Sequence, residues 1–321
     1  MKQMKKYGLS LSILCLGQYL MAQQVDVKVD PKIEVDVSTI AENIVVDVMK
    51  DFQFEFDFDY NDDDDDDNDN KAKYQQSSQE IEIPLSNPGE RGTLKVDTRY
   101  GKITIKGYDG ATVKVKIIKY DKKVDRSSSD GGMRLVSSGG LNFEATERNN
   151  VVEVENEGWN NRADFEIMVP KNFDIKAEAY NNGQIMISEV NGELDIESYN
   201  GGITLQNISG SASASTYNGT VKVDFNSVTP DVPMTFHTYN GNVDISVPDG
   251  TRFTAKMKTN RDIFTDFESF SLAAPKPTVN ESGGNKGYSL KYENWVEGNL
   301  NGGGPQVTME TRNGNIYIRK K

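Results

Sequence analysis

Between Lys176 and Val223 glycine recurs at positions 183, 192, 201, 210 and 219, and the second and fourth residues after each glycine are apolar. The pairs are Ile185 and Ile187, Leu194 and Ile196, Ile203 and Leu205, Ala212 and Ala214, and Val221 and Val223. Alternation of this kind is the period of a β-strand. Each nine-residue unit therefore reads as a short strand entered through a glycine corner.

Two architectures use such a pattern, and register separates them. Asn-Gly between alternating strands is a strong hairpin signal and predicts an antiparallel meander. A two-residue turn at Asn191-Gly192 puts Ile187 opposite Ile196, but sets Ile185 against Ser198 and Leu194 against Glu189. Half of the apolar contacts are lost. Stacking the chain every 18 residues instead places Ile203 between Ile185 and Val221, Leu205 between Ile187 and Val223, and Leu194 and Ile196 beside Ala212 and Ala214. Every apolar position then meets another, and Tyr199-Asn200-Gly201 lies over Tyr217-Asn218-Gly219. The expected fold class is all-β: a parallel β-solenoid of ~18-residue coils with two short strands per coil. Parallel crossovers are right-handed almost without exception, so the solenoid is expected to be right-handed.

The same beat continues on both sides of the regular stretch. Tyr100-Gly101-Lys102-Ile103-Thr104-Ile105 is an early unit, and strands are predicted at Val113–Ile117, Leu141–Ala145, Val151–Glu155 and Phe165–Val169. Asp121–Gly140, rich in Ser, Gly, Lys and Asp, reads as a surface insertion. Later units are Thr238-Tyr239-Asn240-Gly241-Asn242-Val243-Asp244-Ile245, a degenerate copy at Thr259–Ile263, and Thr311–Ile318; Phe267–Asn301 breaks away from the pattern. Residues 80–321 thus form one expected domain.

What precedes that domain is different in kind. Lys2, Lys5 and Lys6 lead into the apolar run Leu9–Met21, the layout of a secretory signal peptide, expected to span 1–22. Cys15 follows Ser12-Ile13-Leu14 rather than a small residue, so it is expected to leave with the leader instead of carrying a lipid. Residues 23–79 are an acidic, partly disordered region. Within it Thr39 and Glu42 have capping-box spacing, which predicts a short N-terminal helix able to cover an open end of the stack. Phe52, Phe54, Phe56, Phe58 and Tyr60 alternate with acids, and Asn61–Asn70 is an aspartate run read as a solvated linker. An EF-hand begun at Asp57 would need glycine and glutamate where Asp62 and Asn68 stand, so that motif fails.

Charge narrows the partners. The formal charge is −13, and −16 once the three leader lysines are removed, which argues against nucleic acid. No apolar run long enough for a transmembrane segment follows the leader.

Little in the chain carries catalytic chemistry. His237 is the one histidine, no cysteine joins it after the leader, and no Gly-x-Ser-x-Gly supplies a serine nucleophile. No metal and no cofactor are expected. Calcium-binding repeats of nine residues need Gly-Gly-x-Gly-x-Asp, which these units lack. The remaining enzyme reading is a polysaccharide lyase or hydrolase on a parallel β-helix, using outward acids such as Glu193, Asp195, Glu197, Asp224 and Asp244. Tyr180, Tyr199, Tyr217 and Tyr239 share one place in successive units. Such a row either stacks on sugar rings or packs the corner; packing is favoured, with Asn200, Asn218 and Asn240 as a structural ladder.

The T-x-N-G-x-I-x-I units, the strand ending in Val169-Pro170 and the closing GNLNGGGPQVTMETRNGNIYIRKK resemble the bacterial "putative adhesin" family of β-strand-repeat proteins, from about Leu94 to Lys321. The resemblance implies a right-handed β-solenoid at the cell envelope and brings no catalytic residues. The expected function is an exported binding or structural module, in the periplasm, at the outer-membrane surface or outside the cell. Its expected partner is a surface glycan or an envelope or matrix protein.

Overall fold

The computed structural model describes residues 74–122, 143–156, 162–274, 278–281, 288–291 and 295–321. The expected leader and short helix, the aspartate run and nearly all of the 121–140 stretch lie outside the described residues. The chain opens with β1 (Tyr74–Pro84), β2 (Gly92–Tyr100), β3 (Ile103–Tyr108), β4 (Thr112–Lys122), β5 (Phe143–Arg148), β6 (Val151–Asn156) and β7 (Ala163–Pro170). The regular stretch supplies β8 (Phe173–Asn181), β9 (Ile185–Ser188), β10 (Asn191–Asn200), β11 (Ile203–Asn218), β12 (Val221–Val228), β13 (Met234–Asn240) and β14 (Val243–Val247). Then come β15 (Phe253–Lys258), β16 (Ile263–Thr265), β17 (Ser271–Leu272), β18 (Thr278–Glu281), β19 (Tyr288–Lys291), β20 (Val296–Leu300), β21 (Gln306–Thr311) and β22 (Ile316–Lys320). Among the described residues there is no helix.

Alternating sequence makes these strands. In β10 the side chains of Leu194, Ile196 and Ser198 are buried while Glu193, Asp195, Glu197 and Tyr199 are exposed. All strands except the β18–β19 hairpin belong to one 20-stranded sheet that curls, barrel-like and nearly closed, around the apolar interior.

The regular stretch pairs in parallel at the register that the glycine period predicts. Ile203 of β11 faces Ile185 on one side and Val221 on the other, and Leu205 faces Ile187 and Val223. Leu194 and Ile196 of β10 face Ala212 and Ala214. The antiparallel meander is absent there. One column of the core runs Phe165, Ile103, Ile185, Ile203, Val221, Val243, Ile316, with each residue against the next on a neighbouring strand. Each of its members is at most 1% exposed, so the column is dry along its whole length.

The structure is a nearly closed, barrel-like sheet rather than the uniform solenoid of two strands per coil that the repeat predicts, and the ends of the sheet depart from chain order. β2 lies between β6 and β8, and β3 between β7 and β9, so β6 and β7 are stacked outside an earlier unit. At the far end β21 lies between β13 and β15, and β22 between β14 and β16. Beyond both ends the pairing turns antiparallel: β5 on β6, β4 on β7 and β1 on β4 at one end, β20 on β15 and β17 on β20 at the other. These added strands take up hydrogen-bonding groups that parallel end strands would otherwise present.

Among the described strands β11 alone pairs in parallel with four others. Its first half pairs with β9 and β12, its second half with β10 and β13. Irregular register between Leu205 and Ser209, with Asn207 at φ 52° and Gly210 at φ 115°, turns it through the corner between them.

Candidate functional site

The corner after each T-x-N-G unit is built from four residues with separate tasks. The first is a buried hydroxyl. Ser198 donates to the carbonyl of Gly183, Thr216 to Gly201 and Thr238 to Gly219, each at 2.8 Å, and Thr311 donates to Gly241 at 2.7 Å. Each bond runs from one coil to the corner of its neighbour, so it satisfies a carbonyl that the bend removes from the ladder.

The third residue is asparagine. Asn218 donates to Asn200, Asn240 to Asn218 and Asn313 to Asn240, each side-chain amide to side-chain carbonyl at 2.7 Å. The fourth is glycine, because the next corner leaves no room for a Cβ. At Gly241, φ is 145° and an added Cβ would lie 2.2 Å from the carbonyl oxygen of Gly219.

The second residue points outward and forms the row of tyrosines. Tyr180 and Tyr199 stack with centroids 5.3 Å apart, Tyr199 and Tyr217 at 5.3 Å, and Tyr217 and Tyr239 at 4.8 Å. The rings are nearly parallel, within 8–11°. Tyr180, Tyr199 and Tyr217 are 62, 44 and 41% exposed, so the row is a surface feature. Both faces of Tyr199 and Tyr217 are covered by neighbouring rings, which leaves their edges and hydroxyls to solvent. The sugar-stacking geometry considered from sequence requires an open ring face, so the two inner rings do not offer it.

Arginines bracket the row. The Arg312 guanidinium lies over Tyr239 at 5.2 Å, a cation–π contact. At the other end Arg99 stands between Thr98 and Tyr100, whose partners Ala179 and Asn181 flank Tyr180, so it occupies the same row on β2. Sequence reasoning missed both arginines because each sits in a unit where the tyrosine is replaced.

The neighbouring outward row carries the acids. Register aligns Asp97, Glu178, Glu197, Ser215, His237, Glu310 and Lys258 on successive strands. Partial burial and then the nearby Glu178 push the Asp97 carboxyl above its ordinary value, against the opposing pull of Arg99. Ser215 Oγ is 3.5 Å from His237 Nδ1, at the limit of a hydrogen bond, and Glu310 on the other side of His237 is paired with Lys258 at 3.0 Å. Glu310 lies 73 residues beyond His237, and only the insertion of β21 beside β13 brings it near. Of the acids named from sequence, Glu193, Asp195 and Glu197 lie on β10, whereas Asp224 pairs with Lys321 and Asp244 with Arg319, both at 2.7 Å, on the other side of the coil. They do not form one cluster. Among the described residues no group of three His, Cys, Asp or Glu side chains could hold a metal ion. Among them, too, no helix is long and apolar enough to cross a membrane.

No family model matches the chain, and no curated protein matches it. Among solved structures it is similar to a putative cell adhesion protein from Clostridium sporogenes ATCC 15579, with TM-score 0.36 and 16% identity over 78% of this chain and 100% of that one. A putative adhesin from Bacteroides fragilis NCTC 9343 gives TM-score 0.29 and 8% identity over 77% and 97%. Another from Parabacteroides merdae ATCC 43184 gives 0.27 and 12% over 76% and 96%. Likenesses of this size carry no argument about function.

Proposed function

We propose that the chain is an exported, non-catalytic binding module whose stacked coils, a right-handed parallel β-solenoid in their regular part, display a rigid repeating surface. Its place is the periplasm, the outer-membrane surface or the cell exterior. Its partner is a surface glycan or an envelope or matrix protein. The observation that carries this reading is the outer corner row: four stacked tyrosines between two arginines, each held at one strand spacing by the asparagine and hydroxyl ladders beneath. A linear array of equally spaced hydroxyls and ring edges suits a partner that itself repeats.

One observation favours a second reading, cleavage of a polysaccharide. Asp97, Glu178 and Glu197 occupy adjacent rungs of neighbouring strands, and a pair of carboxyl groups is what glycoside hydrolysis requires. The raised Asp97 carboxyl suits a proton donor. A single experiment separates the two. The purified protein is presented to an array of glycans and matrix proteins, and every bound polymer is analysed for shortened products. Binding without products, weakened by Tyr199→Ala and Tyr217→Ala together, is the expected result. Products that vanish in Asp97→Asn or Glu178→Gln would replace the module reading with the enzyme.

A further inference from the structure

On the opposite corner of the coil three loops enclose a groove of about 540 Å³. They are 226–231 after β12, 248–252 between β14 and β15, and 303–305 before β21. The volume falls in the range of small-ligand sites, roughly 300–1,000 Å³. The walls are braced. Asn301 donates its amide to the carbonyls of Asp249 at 2.7 Å and Thr251 at 2.8 Å, tying the third loop to the second. Asn226 donates to the Asn207 carbonyl at 3.0 Å and accepts from Lys321 at 2.7 Å, tying the first loop to the body of the sheet. Asn301, Gly302 and Gly303 hold consecutive positive φ values of 50°, 87° and 83°, a conformation that this bracing maintains.

The lining carries two charged side chains, Arg252 and Asp231. Among the described residues, Arg252 has no ion pair and no side-chain hydrogen bond, although nearly every other cation near it is engaged: Lys320 with Asp249, Lys321 with Asp224 and Arg319 with Asp244. Arg252 is not ion-paired to Asp231, so its guanidinium is open to an external anion. Ser227, Thr229 and Thr251 add hydroxyls along the same lining, and Pro230, Pro248 and Pro305 add apolar ring faces. A flat fork of donors, a set of hydroxyls and short apolar walls match a sugar that bears a carboxylate: the guanidinium takes the carboxylate in two parallel hydrogen bonds, and the hydroxyls exchange hydrogen bonds with the ring substituents.

We infer that this groove, through Arg252 in its lining, binds an acidic sugar residue of a glycan. The inference rests on the binding-module reading and gives it a ligand class and a second site, apart from the tyrosine row. The test is calorimetric titration of the intact protein with a β-linked disaccharide ending in glucuronic acid and with the same disaccharide ending in glucose, repeated on Arg252→Gln, Arg252→Lys and, outside the groove, Arg261→Gln. The acidic disaccharide is expected to bind at least about tenfold more tightly than the neutral one, with that preference lost in Arg252→Gln, partly kept in Arg252→Lys and unchanged in Arg261→Gln. Arg252 is exposed, so unchanged thermal melting of the variants confirms that they fold. Equal affinity for the two disaccharides, or an acidic preference that survives Arg252→Gln, overturns the inference. So does equal binding of a peptide C-terminal carboxylate. Failure of both disaccharides while other glycans on the array are bound overturns this site and leaves the module reading intact; failure of every glycan and matrix protein overturns both.

Discussion

The buried hydroxyl of Thr216 donates to the carbonyl of Gly201, 15 residues earlier, at 2.8 Å. That single bond joins the end of one strand to the corner of the adjacent coil, and the same bond recurs from Ser198, Thr238 and Thr311. Replacing Thr216 by Val keeps the shape and leaves the Gly201 carbonyl without its donor. A loss of about 1–3 kcal/mol in urea-induced unfolding is expected, with Thr216→Ser close to wild type because Ser198 already does this work one coil earlier.

Glycine at the corner is a requirement of stacking. Gly219 has φ 143°, and a Cβ there would lie 2.6 Å from the backbone of Gly201 and Gly202. Gly219→Ala is expected to cost about 3 kcal/mol or more, since backbone strain and a backbone clash arise together. Gly250, with nothing within 4 Å of an added Cβ, is the control, and its alanine variant should stay within about 0.5 kcal/mol in the same thermal melts.

Asn218 both donates to Asn200 and accepts from Asn240 at 2.7 Å. Asn218→Asp removes the donor and sets a carboxylate oxygen against the Asn200 carbonyl. A destabilisation of about 1–3 kcal/mol is expected at neutral pH. It should shrink below about pH 4, where the protonated acid donates again. Denaturant titrations at pH 7 and pH 3.5 read the difference.

Asp97 gives a pH dependence with a definite sign. Its carboxyl titrates above the ordinary 3.8, through partial burial and Glu178, so the folded chain holds this proton to a higher pH than the unfolded one. Stability from this group therefore falls as pH rises from 3.8 through the raised value, and the penalty is complete at neutral pH. Asp97→Asn should melt higher than wild type at pH 7, and the gap should close on acidification. Because the side chain is only partly removed from solvent, which screens it, the gain is expected to be below about 1 kcal/mol.

Much of this architecture was legible in the spacing of residues. The parallel pairing of Ile185, Ile203 and Val221 follows from period 18 because a buried apolar position needs an apolar neighbour on each side, and antiparallel pairing would have set Leu194 against Glu189. The tyrosine and asparagine ladders follow from the same offset. The purpose of the threonine before them did not, since its acceptor is a neighbouring corner's carbonyl, which no side-chain pattern marks. The groove around Arg252 gathers three loops from across 80 residues, and nothing periodic connects them.

The sequence alone determined the strands of the regular stretch, the glycine corners and the rows of like residues, because each depends on neighbours one repeat away. Only the tertiary structure decided how the stack ends. β2 sits inside β6 and β21 sits inside β15, and antiparallel strands cover what remains. Those choices turn on which strand edge is open when a distant segment arrives. An open edge offers the same backbone donors and acceptors to any strand, so its final partner is selected by packing rather than by a local pattern.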